Sequence, residues 1–474
     1  MSETKSGKKL LVGTGIYAVG TFGTKILMFL IAPLYTYYLA TSEMGTYDVL
    51  ISTIGLLIPI ISMQISDAVY RWIIRENVDS EAYLRVTYQF LLVSSLLCSG
   101  IILAVHFLIV TIPYIWYFLG ALLSSLFFQI SQKILRGLKR QWIFAISGII
   151  YTCVFLGLNI VQLCVLHRGV ESLLMSYITA NIVGLAAIVA AEKRIRVNIF
   201  RKAEPGLLKE LLGFSIPLIP NYLSWWIVDS SDRYIVLWFL GVSANGVLAI
   251  AHKFPTILQS VFGLFLNSWQ DLAIASEQDE KAFFTNVFRR LYRLAFMLLW
   301  VLIPATKLFV WLVMGQDYKI ACDYIPFYYL GAVFQAFCSF YGVGYLRSKN
   351  TKGSFSSSIW GALINASVNI GLIRIIGLQA AAVSTFFSFL GMWLIREKQN
   401  REELGITIRW PEFLLFLAVG IAVCLVSIFS SIRFNIALSA VGIDLFLILN
   451  YKDMEIIAAK LKNRKKAKAS SGQA

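Results

Sequence analysis

The chain has 474 residues, 58% of them hydrophobic and only 14% charged, with a mean hydropathy of +0.72. A soluble domain carries about 25% charged residues, so the composition excludes a water-soluble globular protein and points to an all-α integral membrane protein. The formal net charge of +16 does not point to nucleic acid, because the basic residues flank apolar runs.

The first nine residues are polar and basic, with Lys5, Lys8 and Lys9. The run after them is too long for a signal-peptide core and has no clear cleavage site, so it reads as an uncleaved first span. A helical span needs roughly 20 apolar residues. Fourteen runs qualify, at about 11–39, 46–70, 86–110, 113–135, 142–166, 173–191, 211–238, 244–270, 291–313, 325–346, 354–374, 377–395, 412–430 and 434–450.

Lys25 lies near the middle of the first span, with an interface about ten residues away in either direction, too far to snorkel easily. It either faces a central cavity and binds an anion or pairs with a carboxylate such as Asp67. Asp67 and Arg71, spaced i, i+4 at the end of the second span, read as a gate or anchor pair.

The seventh span holds FSIPLIPNYLSWWIVDSSDRY over 214–234. Each ionised side chain costs roughly 3 kcal/mol or more at mid-depth in hydrocarbon, and each proline removes a backbone hydrogen bond. Such a segment is tolerated where it faces protein or a water-filled cavity. Pro217 and Pro220 therefore predict helix breaks, and Asp229, Asp232 and Arg233 a lumen-facing surface. Asp229 and Arg233 share a helix face and are expected to pair. Asp232 points about 100° away and is left for another partner. The aspartates could instead hold a structural salt bridge, set the position of Arg233, or couple transport to an ion.

Lys253 precedes Pro255 in the eighth span, and Lys307 follows Pro304 in the ninth. Each reads as an interfacial or a lumen residue. Asn365 and Asn369 share a face of the eleventh span. The tail, KLKNRKKAKASSGQA, reads as a basic, solvated or headgroup-facing end.

Cytoplasmic Lys and Arg residues set topology. With the N-terminus inside, alternation places 34 of the 42 basic residues in cytoplasmic segments and four outside. Lys25, Arg233, Lys253 and Lys307 fall within spans. A miscounted span would invert every later loop, so both termini are expected in the cytoplasm. The loops on both sides are too short for a catalytic domain.

An internal offset of 201 residues pairs Gly45, which opens the second span, with Gly246, which opens the eighth. Two pseudo-symmetric six-helix bundles in one orientation would follow, a known transporter plan. The boundaries read as 1–205 for the first bundle, 206–400 for the second, 401–451 for two further spans and 452–474 for the tail.

The six cysteines are scattered, mostly in apolar runs, and read as core filler. The three histidines do not cluster at metal-ligand spacing. No phosphate loop, dinucleotide fingerprint or nucleophile elbow is legible. No metal, cofactor or enzymatic site is expected.

SIPLIP at 215–220, DRY at 232–234, Gly241 and GVLAIAHK at 246–253 resemble the middle of bacterial polysaccharide (O-antigen type) flippases. These belong to the multidrug/oligosaccharidyl-lipid/polysaccharide (MOP) exporter superfamily. NASVN at 365–369 and GLQAAA at 377–382 resemble that family's eleventh and twelfth spans. Leu248 stands where the family usually has Tyr. The resemblance implies a MATE-like fold of fourteen helices, with two bundles about a cationic central lumen plus two C-terminal helices. It implies flipping of undecaprenyl-pyrophosphate-linked oligosaccharides across the inner membrane by alternating access. An alternating lumen needs a driving force, and Asp229 and Asp232 could bind a cation near Arg233, so coupling to Na+ or H+ is expected. Lys25, Arg233 and Lys253 would then meet the pyrophosphate, and Asp67, Arg71, Asp229 and Asp232 would serve coupling or gating. Membrane lipids and polysaccharide polymerase or assembly proteins are the other implied partners.

A cation-coupled drug exporter of the same superfamily is the nearest rival. It would want acidic sites for cationic drugs and usually twelve spans. A membrane-embedded glycosyltransferase or polymerase would want catalytic carboxylates at a membrane face and a sizeable external loop. A scaffold would need no charges at mid-depth.

Overall fold

In hydrocarbon every backbone N–H and C=O must be satisfied within the chain, which leaves helices as the economical solution for such apolar runs. The computed structural model describes residues 23–75, 80–202, 204, 206–275, 281–348 and 350–471, and every regular element among them is helical. Lys5, Lys8, Lys9, the start of the first span, Lys349 and the last three tail residues lie outside the described residues.

The first half holds α1 (23–30), α2 (Ala32–Tyr38), α3 (Thr41–Ile61), α4 (Ile65–Arg75), α5 (Ser80–Leu108), α6 (Ile115–Gly137), α7 (Gln141–Cys164) and α8 (Val170–Ala191). After a link come α9 (Leu207–Ser215), α10 (Ile219–Leu240), α11 (Val242–Ala275), α12 (Lys281–Val313), α13 (Ile325–Arg347), α14 (Thr351–Ile376) and α15 (Gln379–Gln399). The short α16 (Arg401–Leu404) leads to α17 (Trp410–Phe429) and α18 (Ile432–Ser471). Pro33, Pro220, Pro326 and Pro411 stand in the first turns of α2, α10, α13 and α17. There the missing N–H costs nothing and the fixed φ suits the helix.

Eleven helical segments among the described residues are long and apolar enough to cross a membrane. α13 and α15, of 23 and 21 residues, have span length with a less apolar composition. Large apolar side chains are widely exposed, among them Leu108, Phe107 and Phe429, as a lipid-facing surface requires. Exposed tryptophans stand near helix ends: Trp116 opens α6, Trp238 and Trp311 close α10 and α12, and Trp142 and Trp410 open α7 and α17. Such rings favour the headgroup level. The chain is a multi-pass membrane protein.

Several spans are broken. The second is not continuous: Met63 and Gln64 adopt left-handed φ values of 43° and 53° between α3 and α4. The seventh divides into α9 and α10 at a 3₁₀ turn over Ile216–Leu218, with Pro217 inside the turn and Pro220 in the first turn of α10. The break changes what the chain packs against. Leu207 and Leu211 are buried in the apolar core of the first half with Leu50, Leu122 and Ile134, whereas Val228 and Val236 are buried in the second core with Phe296 and Phe334. One span thus leaves one core and enters the other.

The halves meet most closely where α3 crosses α11. A methyl on Gly45 would overlap the Val242 carbonyl, and one on Gly246 would overlap the Thr41 carbonyl. Asn245 Nδ2 donates to the Gly45 carbonyl at 3.1 Å. Only glycine allows two backbones this near.

α17 is fixed to α12 at both ends. Glu412, in its first turn, pairs with Arg289 at 2.6 Å and with Arg293. At the other end Lys307 Nζ donates to the carbonyls of Ser427 at 2.5 Å, Ile428 at 3.0 Å and Ser430 at 3.3 Å, and pairs with Asp323 at 3.2 Å. Lys307 is therefore neither a snorkelling nor a lumen lysine. It satisfies the orphan carbonyls that every helix C-terminus leaves.

Candidate functional site: a charge cluster between the halves

Three of the sequence-predicted residues, Asp229, Arg233 and Lys253, gather where α10 faces α3 and α11, and a fourth, Lys25 on α1, lies within the field of Asp229. Arg233 is the centre. Its Nε lies 2.7 Å from Asp48 Oδ2 on α3, and Nη1 donates to the Asp229 backbone carbonyl at 2.8 Å. The pair is largely shielded, with side chains 12% and 18% exposed. The expected side-chain pairing of Arg233 with Asp229 is not formed: the carboxylate of α3 takes the guanidinium, and Asp229 stays exposed. Asn245 Nδ2 sits 3.5 Å from Asp48 Oδ2, which ties the pair to the glycine crossing.

Lys253 on α11 holds its ammonium 5.3 Å from the Tyr35 ring centre, within the field of Asp48. Lys25 on α1 is exposed and lines a cavity of about 230 Å³ with Phe128, Gln132, Phe144, Tyr151 and Thr152. Among the described residues no carboxylate lies within ion-pair distance of it, and Asp229 is the acid whose field reaches it. The alternative partner, Asp67, is taken elsewhere. Arg233 pairs with Asp48, Lys253 lies in the field of the same carboxylate and Lys25 in that of Asp229, so three cations face two acids and the region keeps a positive excess. A polyanion entering it must displace acids already in place.

Asp232 faces away from this cluster, into the second half. It is fully buried. Thr385 Oγ1 donates to it at 2.9 Å, Asn369 Nδ2 at 3.1 Å and the Tyr328 hydroxyl at 3.5 Å. Asn365, one turn before Asn369, accepts from Ser231 at 3.0 Å. Asn369 Oδ1 is buried without a partner, and among the described residues no basic side chain pairs with Asp232. A carboxylate, a hydroxyl and a free amide oxygen are the hard donors a small cation prefers.

Asp67 and Arg71 stand apart from the cluster and do not pair with each other. Asp67 pairs with Lys133 of α6 at 2.6 Å and accepts from the Tyr222 hydroxyl of α10 at 3.2 Å. Arg71 stacks on Phe214 at 4.5 Å and Trp72 at 5.5 Å. Trp72 Nε1 donates to Glu210 at 2.6 Å. These contacts bind α4 to both segments of the broken seventh span.

Sequence reasoning missed Asp48, Lys133, Tyr222 and Thr385. Asp48 had a signal, since a carboxylate three residues into the second run is costly unless paired. Lys133 and Tyr222 had none, because they belong to helices distant in sequence.

Residues 10–269 match a family described as polysaccharide biosynthesis protein. No curated protein sequence matches the chain. Among solved structures, lipid II flippase MurJ in an inward closed conformation is similar at 16% identity with a TM-score of 0.70, covering 92% of this chain and 99% of that one. An inward-facing multidrug resistance MATE family transporter of the MOP superfamily is similar at 12% identity and TM-score 0.64, over 81% and 96%. A MOP superfamily transporter from Pyrococcus furiosus, whose binding pocket has reversed polarity, follows at 13% and 0.55, over 83% and 96%. These neighbours are flippases and transporters, not enzymes. The fold is that of the MOP superfamily, and with more than half of its residues matched, the chain belongs to the polysaccharide biosynthesis protein family.

Proposed function

We propose that the protein is a flippase that moves undecaprenyl-pyrophosphate-linked oligosaccharide repeat units across the bacterial inner membrane for O-antigen, capsule or exopolysaccharide synthesis. The observation that carries this reading is the cluster of Lys25, Arg233 and Lys253 set between the halves of a membrane protein. A pyrophosphate carries at least two negative charges, and an isolated ion costs tens of kcal/mol in a low-dielectric medium, so cations must accompany it. Here Arg233 also has an acid, Asp48, to return to. The ligand can therefore be released on the far side. Alternating access by fourteen spans, both termini cytoplasmic, completes the reading. Polymerase and assembly proteins would receive the product.

Transport is coupled to Na+ or H+ in this reading, with Asp232, Asn369 and Thr385 as the coupling site and Asp67 and Arg71 at a cytoplasmic gate. The experiment is flipping of a fluorescent lipid-linked saccharide in proteoliposomes, with and without ion gradients. Flipping should require the gradient and should fall at least tenfold in Asp232→Asn, the scale expected when a buried charged contact is lost. Unchanged flipping in both would remove the coupling. The exposed Asp229 beside the cluster favours one second reading, export of cationic drugs. A cationic dye that is transported while the lipid-linked saccharide is not would establish it.

A further inference from the structure

Arg396 is one of the basic residues at the ends of the spans, but it does not face water. It stands in the last turn of α15, and only 3% of it is exposed. Its guanidinium points inward. Nε donates to Ser357 Oγ at 3.1 Å, Nη1 to the Cys338 carbonyl at 2.9 Å and Nη2 to Ser358 Oγ at 3.2 Å. Both serine hydroxyls donate to the Ser354 carbonyl, so they turn lone pairs toward the arginine. All of these acceptors are neutral. The neighbouring acids are engaged elsewhere, Glu403 with Arg347 at 3.1 Å and Glu397 with Arg401 at 4.0 Å. Among the described residues none pairs with Arg396.

A guanidinium has five N–H donors, and two of them are left uncommitted here. Burying such a charge without a countercharge is costly. The C-terminal dipole of α15 offsets part of the cost. The site is nonetheless built for the group. Gly342 leaves the space that Nη1 fills, since a methyl there would sit 3.3 Å from that nitrogen. The cover is aromatic: the Trp225 ring centre lies 5.4 Å from Cζ and the Tyr345 ring centre 5.8 Å.

Trp225 belongs to α10, one and two turns before Asp229 and Arg233, just after the Ile216–Leu218 turn. A swing of α10 about that turn would lift the indole and uncover the guanidinium. We propose that Arg396 is a second anion site, gated by Trp225, that takes a diphosphate group when α10 moves away. The choice of diphosphate rests on the flippase reading; the anion site does not. In that reading Arg396 lies toward the cytoplasmic end, where the charged headgroup arrives before it reaches the central cluster.

The test is calorimetric titration of inorganic pyrophosphate into the purified full-length protein in phosphatidylcholine nanodiscs. Trp225→Ala should show a binding event about tenfold or more tighter than wild type, the scale of a buried charge contact. Trp225→Ala combined with Arg396→Gln should lack it. Equal titration of these two variants overturns the site, and Trp225→Ala binding no tighter than wild type overturns the gate. If the glutamine variant does not fold, Arg396→Lys replaces it. Lysine keeps the charge but loses the fork, so affinity should drop several-fold, and an unchanged affinity also overturns the site. Flipping in proteoliposomes is measured separately. Absence of flipping with pyrophosphate binding intact removes the flippase reading and leaves the anion site standing.

Discussion

Arg233 and Asp48 are 185 residues apart in sequence and 2.7 Å apart in space. They act as one unit, because removing either leaves the other charge buried and unpaired. Arg233→Ala and Asp48→Asn should each lower flipping at least tenfold, and the double variant should be no worse than the poorer single one. Additive losses would give the two residues separate roles. Arg233→Lys should also fail in part, because one ammonium cannot reach both Asp48 and the Asp229 carbonyl as the fork does. Lys25 has no such fixed geometry, and Lys25→Arg should keep partial flipping where Lys25→Ala loses it. Lys307 belongs to a different argument. It holds three carbonyls and a carboxylate, and hydrogen bonds to charged groups are worth about 1.5–3 kcal/mol. Lys307→Ala should lower unfolding stability in detergent by about that amount, with a normal dependence of flipping on substrate. A loss of flipping at unchanged stability would return Lys307 to the substrate path.

At the scale of elements, the crossing of α3 and α11 depends on two missing side chains. Gly45→Ala and Gly246→Ala should each force the helices apart at that end. Cysteines placed at Thr41 and Val242 should then cross-link more slowly than in the parent, and an unchanged rate would mean that the crossing tolerates the methyl. The prolines show what was legible: Pro217 and Pro220 stand at the 3₁₀ turn of the seventh span. The 201-residue offset marks Gly45 and Gly246 as equivalent positions of a repeat, and that they touch each other's helices is seen in the structure alone. Backbone breaks and close approaches leave local marks, because glycine and proline are the residues that permit them. The break in the second span left no such mark. Met63 and Gln64 adopt left-handed conformations that neither residue favours. Charge partners were illegible for another reason. The i, i+4 rule paired Asp67 with Arg71 and Asp229 with Arg233, yet both salt bridges form between helices, to Lys133 and to Asp48. Spacing along one helix does not register a competitor from another.

For the whole molecule, the basic bias of 34 residues against four predicts that both termini lie in the cytoplasm. A reporter active only outside the cytoplasm should be silent when fused after Ala474 and active when fused after Val242; the reverse pattern would undo the fourteen-span topology. The two fixed ends of α17 have a mechanical consequence. A beam pinned at both ends to α12 cannot pivot on its own, so α17, with α18 packed along α12, rides as a keel on the second half. Any rocking between the halves carries this keel as dead load rather than as a separate moving part. The number of independent joints then shrinks, and the articulation falls to the seam where one broken span crosses from the first core into the second.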